Sequence, residues 1–334
     1  MQVVILGGGP AGAAAALVLL QAEVPVTIVE RSRFPRYRPG ETLHPGIEPL
    51  LARLGAADIL HAAGYVRHKG IWSAWGEPLR FVPYGEDSNG PWQGFQAIRS
   101  DFDRRLLERA CEAGAVLMVA EATGVLRSTD RGVRGALTSA GTISADYIID
   151  CTGSASTLAR YLRIPVVRHS PQLIAKFGYV KGKCDGPAPS IRSDSDGWTW
   201  IAEVEPDRFQ WTRVSESHRR PALGWLPPGL HCLMAESSRG ADVSWRIAEI
   251  VAGPGYFLTG DAAAVLDPSS SHGVLRAIMS GMMAAHLAVQ HLCAGADAVL
   301  CARYYHEWFT RWFREDSTEM MRIYRKVSLF GFGA

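Results

Sequence analysis

The sequence predicts an α/β fold: a Rossmann-like domain, an inserted antiparallel β-sheet lobe and a C-terminal helix. Three observations lead to this prediction. The chain begins with a strand, a glycine-rich turn, a helix and a second strand, which is the opening of a parallel βαβ unit. Residues 164–250 contain runs in which apolar and polar side chains alternate, as in antiparallel strands. Residues 304–326 carry aromatic side chains at helical spacing.

Length and composition indicate an ordinary globular chain. Its 334 residues suggest about two domains, or one large domain with an inserted lobe. Hydrophobic residues make up 47% and charged residues 20%, which argues against disorder. The net charge of +2 provides no basic field for nucleic acid. We expect no signal peptide and no membrane span, because the apolar stretches are short or interrupted by polar residues.

The six cysteines are far apart and form no C-x-x-C pair. This spacing indicates neither a disulfide framework nor a zinc site. We therefore expect reduced thiols in a cytoplasmic protein without a bound metal.

The first βαβ unit can be assigned directly. Val3–Leu6 is an apolar run suited to a central parallel strand, and an alanine-rich helix follows, to about Gln21. Val26–Val29 is the second strand, and Glu30 closes it.

The remainder of the Rossmann-like domain is predicted further along the chain. Asp101–Ala113 has the spacing of an amphipathic helix, and Ala145–Asp150 and Tyr256–Thr259 are buried strands. A long helix extends from about Gly273 to Cys293. The aromatic stripe of the tail is interpreted as a packing face.

Two stretches interrupt this domain. One is rich in Trp, Gly and Pro, and the other contains alternating runs joined by a hairpin turn at 205–207. We assign both to one antiparallel lobe for the substrate. The predicted boundaries are 1–64, 99–163 and 251–334 for the Rossmann-like domain and 65–98 and 164–250 for the lobe.

A glycine motif carries the first chemical prediction. Gly7, Gly9 and Gly12 form G-x-G-x-x-G directly after a strand, and Glu30 ends the next strand. Glycines let the backbone approach a pyrophosphate, and the helix N-terminus offers unpaired N–H groups and a positive dipole end. Glu30 can bind both ribose hydroxyls, which favours an unphosphorylated adenosine ribose.

A second motif distinguishes FAD from NAD. Gly260-Asp261 follows a predicted strand, and the Asp261 carboxylate can accept hydrogen bonds from a ribityl chain. Residues 267–273 lead into a helix whose N-terminus would stabilise negative charge at the N1–C2=O side of a reduced flavin. NAD needs no second contact region so far along the chain, and no second G-x-G-x-x-G is present for NAD(P)H. The sequence therefore predicts FAD.

These motifs resemble those of the flavoprotein superfamily that contains p-hydroxybenzoate hydroxylase, geranylgeranyl reductases and flavin-dependent halogenases. The similarity spans roughly residues 3–290 and is nearest to the halogenase-like branch, because residues 38–43 read Arg-Pro-Gly-Glu-Thr-Leu. The other matching segments are the glycine motif, Glu30-Arg31, residues 34–37, Arg99 with Phe102, Asp103 and Leu107, residues 150–153, Gly260-Asp261 and Asp267-Pro268.

The resemblance implies a set of cofactor contacts. Residues 40–43 would run beside the isoalloxazine ring, and Arg99 would contact the cofactor. The FAD-binding residues predicted from the motifs and the resemblance are Gly7, Gly9, Ala11, Gly12, Glu30, Arg31, Arg38, Glu41, Thr42, Leu43, Arg99, Gly260, Asp261, Pro268 and Gly273.

One segment, with tryptophans at Trp198 and Trp200, resembles the halogenase signature G-W-x-W-x-I-P, in which the paired tryptophans keep activated flavin away from substrate. Ala202 and Glu203 follow, so the Ile-Pro ending is missing. Lys69 falls near the position where halogenases carry the lysine that handles hypochlorous acid. A solvated cation at a strand end is the favoured alternative for Lys69.

Two histidines are further catalytic candidates. His272 lies in the predicted flavin loop, and His44 directly follows residues 40–43. Either ring can donate a hydrogen bond to flavin or substrate, and a structural role for His272 is an equal alternative. No nucleophilic triad and no metal site are predicted, since the serines have no G-x-S-x-G context.

The residues and the resemblance together suggest an FAD-dependent monooxygenase that hydroxylates an electron-rich aromatic substrate through a flavin C4a-hydroperoxide formed with O2. Electrons would come from NAD(P)H or from reduced flavin supplied by a partner reductase. The substrate would be an aromatic small molecule, or a partner-protein tryptophan during maturation of a quinone cofactor. Three alternatives stay open: a flavin-dependent halogenase, an alkene reductase of the geranylgeranyl reductase type, and a non-catalytic flavoprotein that binds a protein partner.

Overall fold

The computed structural model describes residues 1–128, 132–222 and 224–332. The α-helices in these ranges are α1 (Pro10–Gln21), α2 (Ile47–Arg53), α3 (Asp58–Ala62), α4 (Arg99–Glu112), α5 (Thr157–Leu162), α6 (Gly273–Ala294) and α7 (Ala298–Lys326). The strands are β1 (Val3–Leu6), β2 (Val26–Glu30), β3 (Thr42–Leu43), β4 (Val66–His68), β5 (Gly70–Ala74), β6 (Arg80–Pro83), β7 (Glu86–Asp87), β8 (Gly90–Pro91), β9 (Gly94–Gln96), β10 (Val116–Val119), β11 (Ala122–Ser128), β12 (Gly132–Thr138), β13 (Gly141–Ser144), β14 (Tyr147–Asp150), β15 (Val166–Arg168), β16 (Leu173–Cys184), β17 (Ser190–Asp194), β18 (Gly197–Glu205), β19 (Arg208–Glu216), β20 (Leu230–Ala235), β21 (Arg239–Asp242), β22 (Arg246–Ala248), β23 (Ala252–Gly253), β24 (Tyr256–Leu258) and β25 (Ala264–Val265).

A six-stranded sheet forms the centre of the Rossmann-like unit, with strand order β10-β2-β1-β14-β24-β23. The first five strands are parallel to one another, and β23 is antiparallel to β24. Every residue of β1 is buried, which explains its continuously apolar sequence, because a central parallel strand is covered on both faces. The predicted α/β fold is confirmed, and the boundaries of β1 match the prediction.

Helices α1 and α6 approach each other unusually closely. A Cβ atom at Gly281 would lie 2.2 Å from the Ala11 carbonyl oxygen, so this contact requires a glycine. By length and composition α6 could cross a membrane. In the structure α6 packs against both α1 and α7, and Ala284 and Ala288 are fully buried in the core.

The predicted lobe is an eight-stranded sheet with strand order β20-β16-β19-β18-β17-β5-β6, and β21 also pairs with β16. Strands β18 and β19 form a hairpin in which Glu205 lies opposite Arg208, so the predicted turn is confirmed. One junction differs from the predicted antiparallel pattern, because β5 pairs with β17 in parallel. The two strands come from separate segments, and a long intervening connection permits either direction.

Short strands divide the segment 65–98 among three sheets, one of which is the β7–β8 pair. Strands β5 and β6 join the large sheet, whereas β4 and β9 pair with β3 in a separate three-stranded sheet. Another small sheet, β11-β12-β13, was not predicted from the sequence. The strands of the β3 sheet have only two or three residues, which is too short for a visible alternation of side chains.

Helix α7 connects the two cores. Tyr305, Phe309 and Phe313 are buried in the core of the Rossmann-like unit, whereas Met320 and Tyr324 are buried in the core of the lobe. The aromatic stripe is therefore a packing face, as predicted. The helix begins earlier than expected, at Ala298, where the Asp297 carboxylate accepts a hydrogen bond from the Leu300 amide over 2.8 Å and caps it.

Candidate functional site

The glycine turn lies between β1 and α1 and leaves no room for side chains. Gly7 has a φ of +101°, and a Cβ atom there would lie 2.4 Å from the Cys151 carbonyl oxygen. A Cβ atom at Gly12 would lie 2.0 Å from the Gly7 carbonyl oxygen. Helix α1 begins at Pro10, directly after Gly9. The turn therefore presents bare backbone and a helix N-terminus to the same space, which suits a pyrophosphate.

Glu30 lies beside this turn, as predicted. Its carboxylate is buried and accepts hydrogen bonds from the Gly8 and Ser32 amides, each over 2.9 Å. The Arg36 guanidinium lies 3.6 Å from it. The contact of this carboxylate with the hydroxyls of an adenosine ribose stays a prediction. Arg31, the next residue, is exposed, and its contact with a cofactor stays a prediction.

Arg36 was not singled out from the sequence. Its guanidinium lies over the Phe34 ring, 4.5 Å from the centroid, and a Cβ atom at Gly9 would be 3.2 Å from Arg36 Nη2. The Arg36 Nε atom is buried and has no hydrogen-bond partner among the described residues. A buried donor without a partner indicates an anionic or polar ligand beside the glycine turn. In the sequence, the arginines that follow Glu30 could have suggested this role for Arg36.

Residues 40–43 are held in place by the protein itself. The Glu41 carboxylate accepts hydrogen bonds from the Tyr179 hydroxyl and from the Gly40 amide, and burial raises the pKa of Glu41. The Thr42 hydroxyl donates to Gln96 Oε1 over 2.9 Å, and Leu43 is fully buried. These side chains point into the protein, so the backbone of the segment is the part left to border a cofactor.

Arg99 is the first residue of α4 and connects this helix to the segment before Gly40. Its guanidinium forms two parallel hydrogen bonds with the Asp103 carboxylate, over 2.7 and 2.9 Å, and donates a third to the Pro39 carbonyl over 3.1 Å. This geometry ties the start of α4 to the segment that precedes Gly40.

Asp261 lies in the middle of the cleft. The residue is exposed and lines a pocket together with Gly273 and Arg276. The surrounding protein raises the pKa of the Asp261 carboxyl by removing water from it, and the guanidinium groups of Arg99, Arg246, Arg38 and Arg276 oppose this shift. The structure thus brings the predicted residues Arg38, Arg99 and Asp261 around one space.

A second stretch of backbone that could face a cofactor, in addition to the glycine turn, lies at the start of α6. Gly260 donates its amide to Ser280 Oγ over 2.9 Å. Pro268 begins a short 3-10 turn that leads to Gly273, the first residue of α6. A Cβ atom at Gly273 would meet nothing within 4 Å. The N-terminus of α6 therefore faces open space, as a flavin ring edge would require.

Arg276 is a second residue that the sequence analysis missed. It lines a pocket together with Asp261 and Gly273 and aromatic side chains of α7. The Arg276 guanidinium pairs with Asp316 and lies 4.5 Å from the centroid of the Trp312 ring. Its Nε atom is buried without a partner among the described residues. Nothing in the local sequence of α6 distinguishes this arginine from an exposed helical one.

The two candidate histidines are in contact. The rings of His44 and His272 meet edge to face with centroids 4.9 Å apart, and Tyr84 packs on His44 at 5.5 Å. Burial, followed by the nearby Arg276, lowers the pKa of His272 to about 4, and burial also lowers the pKa of His44. Both rings are therefore neutral near pH 7. The His44 Nδ1 atom accepts the Gly46 amide over 3.0 Å, so Nε2 carries the proton.

The paired tryptophans are deep in the lobe core. Trp198 is 1% exposed and Trp200 is 7% exposed, and both belong to one hydrophobic cluster. The indole N–H of Trp198 donates to the Tyr324 hydroxyl over 3.0 Å. The two residues are two positions apart on β18, so their side chains lie on the same face of the sheet.

Lys69 lies between β4 and β5 and is exposed. Its carbonyl oxygen accepts the Tyr84 amide over 3.0 Å. The neighbouring His68 is partly buried and binds Gln96 and the Gly70 carbonyl through its two ring nitrogens. The position of Lys69 agrees with the solvated cation that was favoured for it.

All six cysteines are free thiols. Within residues 1–128, 132–222 and 224–332, no group of three or more His, Cys, Asp or Glu side chains is arranged to hold a metal ion.

The bare glycine turn, the unpartnered donors of Arg36 and Arg276 and the open start of α6 fit the two ends of FAD. Residues 1–231 match the FAD binding domain family. The tryptophan 2-halogenase of Chondromyces crocatus is 29% identical over 357 aligned residues, which cover 93% of this chain and 66% of that protein. The chain thus spans slightly less than two thirds of that relative.

Two further similarities agree with this match. The 1H-pyrrole-2-carbonyl-(peptidyl-carrier protein) brominase of Pseudoalteromonas luteoviolacea is 27% identical, with 92% of this chain and 81% of that protein covered. The structure of the myxobacterial chondrochloren halogenase CndH has the same fold, with a TM-score of 0.87, 22% identity and coverage of 97% of this chain and 82% of that chain. The chain belongs to the FAD binding domain family, in the flavin-dependent monooxygenase superfamily, and the relatives with which it aligns along most of its length are halogenases.

Proposed function

We propose that this protein is a flavin-dependent halogenase that acts on an electron-rich aromatic substrate. The observation that carries the proposal is the similarity to a tryptophan 2-halogenase along 93% of the chain. The halogenase alternative from the sequence thus has better support than hydroxylation, which was the main prediction.

Each end of the cofactor has a proposed set of contacts. Glu30 would bind the adenosine ribose, and the glycine turn with Arg36 would hold the pyrophosphate. Asp261 would accept hydrogen bonds from the ribityl hydroxyls. The N-terminus of α6, which starts at Gly273, would face the ring and stabilise the negative charge that it gains on reduction.

When bound and reduced, FAD supplies electrons that activate O2 as an electrophilic oxidant. The chain contributes a dry surface and proton control. Trp198 and Trp200 are nearly free of solvent contact, so their strand excludes water from the lobe side. An aromatic ring that gains a substituent must lose a proton, which the neutral imidazole of His272 can accept. The His44 ring, with its proton on Nε2, would instead donate a hydrogen bond to flavin or substrate.

The electron source, partners and location are part of the same proposal. The chain has no second glycine motif for NAD(P)H, so the electrons would come either from a nicotinamide that docks transiently or from reduced flavin supplied by a partner reductase. The similarity to a brominase named for a carrier-bound pyrrole supports a substrate presented by a partner protein as an alternative to a free aromatic. The free thiols support a cytoplasmic location.

Hydroxylation by the same activated oxygen is the second candidate. It is favoured by two departures from the halogenase pattern: Lys69 is exposed, and Ala202 and Glu203 replace the Ile-Pro ending of the signature. A tryptophan side chain of a partner protein, converted during maturation of a quinone cofactor, stays the most specific form of this candidate.

Product mass after a single turnover separates these functions. The FAD-loaded protein is reduced anaerobically, then mixed with O2, chloride or bromide and a panel of indoles, pyrroles and phenols. We expect a halide-dependent product in which one halogen replaces hydrogen. A product with one added oxygen, independent of halide, would support hydroxylation instead.

The same experiment with Lys69→Met tests the role of this lysine. Lys181→Met, which removes another exposed lysine, is the control. Loss of halogenated product in Lys69→Met alone would assign the lysine to halide transfer. Saturation of an isolated double bond without O2 would point to the alkene reductase. A flavin that reacts with neither reductant nor O2 would leave only the non-catalytic alternative.

A further inference from the structure

Asp267 is the first residue of the flavin loop (residues 267–273), and its carboxylate is bound by Trp245 and Tyr324. Trp198 joins this network through Tyr324. The Trp245 indole N–H donates to Asp267 Oδ2 over 2.6 Å, and the Tyr324 hydroxyl lies 2.8 Å from both carboxylate oxygens. The Trp198 indole N–H donates to the Tyr324 hydroxyl over 3.0 Å. None of these four residues is more than 1% exposed.

The direction of each hydrogen bond follows from chemistry. An indole N–H can only donate, so the Tyr324 oxygen accepts from Trp198 and its own proton is free for Asp267. Burial and the neighbouring Asp267 carboxylate raise the pKa of Tyr324, which keeps that proton in place. Tyr324 therefore links Trp198 of β18 to Asp267 of the flavin loop by two hydrogen bonds.

The same carboxylate shapes the loop. Asp267 Oδ1 accepts the Ser269 amide over 3.0 Å, which caps the 3-10 turn Pro268–Ser270. That turn leads directly to His272 and to Gly273, where α6 begins. A shift of Asp267 would move the helix N-terminus and the imidazole of His272 together.

We propose that Tyr324 is a positioning residue for the flavin. Through its hydrogen bond to Asp267 it holds the flavin loop in the conformation that accepts the isoalloxazine ring, and Trp198 acts through Tyr324 by its indole N–H. The inference rests on the proposed FAD site at this loop. It gives α7 a role in cofactor binding in addition to its packing between two cores.

A matched control lies on the same helix. Tyr305 is fully buried, and its hydroxyl donates to the Leu258 carbonyl over 2.7 Å. Removal of the Tyr305 hydroxyl deletes its hydrogen bond to Leu258, whereas removal of the Tyr324 hydroxyl deletes the hydrogen bonds to Asp267 and from Trp198. Of the two, only Tyr324 contacts the flavin loop. Any effect on the flavin that is specific to Tyr324 therefore reports positioning and not the stability of α7.

The experiment compares wild type, Tyr324→Phe, Trp198→Phe and Tyr305→Phe. The FAD Kd, the visible spectrum and midpoint potential of bound flavin, and Tm are measured for each. We expect Tyr324→Phe to raise the FAD Kd about tenfold, the net effect of one buried hydrogen bond, and to shift the potential. Trp198→Phe should act in the same direction, and the double variant should exceed Tyr324→Phe only slightly. Tyr305→Phe should lower Tm and leave the FAD Kd and the midpoint potential unchanged.

Unchanged FAD Kd and potential in Tyr324→Phe, with Tm lowered as in Tyr305→Phe, would overturn the inference. If Tyr324→Phe does not fold, Trp198→Phe decides, because it removes the first donor of the chain and keeps an aromatic ring in the core. A wild-type protein that binds no FAD would contradict the proposed function instead, so the two failures are distinguishable.

Discussion

The two ends of the proposed FAD cleft are built in different ways. At the adenosine end, residues 7–12 and Glu30 come from one βαβ unit, and the space is made by backbone that allows no side chain at Gly7 or Gly12. At the ring end, Asp267 depends on Trp198, Trp245 and Tyr324 from three other segments. A local, backbone-built site can be recognised as a motif, whereas a site assembled by long-range side-chain contacts cannot.

The largest expected effect is at Gly12. Gly12→Val would place Cβ 2.0 Å from the Gly7 carbonyl oxygen, so we expect loss of bound FAD and a decrease of about 2–4 kcal/mol in the free energy of unfolding. Visible absorbance of the purified protein and denaturant unfolding measure the two effects. Gly273→Ala is the counterpart at the ring end, where Cβ meets open space, and should unfold like wild type. Equal destabilisation by both substitutions would remove the contrast between the two ends.

A smaller effect is expected at Glu30. Glu30→Gln keeps the size of the side chain but removes the charge that would bind the ribose hydroxyls, so FAD binding should weaken by about 1–3 kcal/mol. Isothermal titration with FAD measures this change. Glu23→Gln, at an exposed position before β2, is the control. The ribose assignment would have to be abandoned if Glu30→Gln and Glu23→Gln bound FAD equally well.

The smallest effect concerns pH at the ring end. Because the pKa of His272 is lowered to about 4 from an ordinary value of 6.5, the unfolded state binds more protons between these values, and stability should fall as pH decreases from 6.5 to 4. The Tm of His272→Gln should decrease less over this range than that of wild type. Parallel curves of Tm against pH for the two proteins would contradict a partly buried, neutral His272.

Prediction from the sequence was most successful where neighbouring residues determine the structure. The glycine turn, β1, Glu30 and the β18–β19 hairpin were all predicted, since each depends on contacts between residues close in the sequence or on a regular pattern. The β11-β12-β13 sheet and the roles of Arg36 and Arg276 were not, because they depend on partners that come together only in the folded chain.

The catalytic candidates show the same division. His44 and His272 were predicted separately, but their edge-to-face contact follows from the docking of the segment after β3 against the start of α6. Lys69 was placed near the reaction by resemblance, and the structure leaves it exposed at the end of a strand. The orientation of a side chain at a strand end is decided by the packing of the sheet and not by its sequence neighbours.

By itself the sequence determined a Rossmann-like unit with an inserted sheet, and a backbone shaped for FAD at residues 7–12. These features follow from hydrophobic periodicity and from the steric properties of glycine, which act locally. Only the tertiary structure decided that Trp198 contacts α7 through Tyr324, that Trp245 and Tyr324 both bind Asp267, and that two neutral imidazoles are in contact. Hydrogen bonds and burial of this kind depend on distances between remote residues, which are established only when the two cores pack on a common helix.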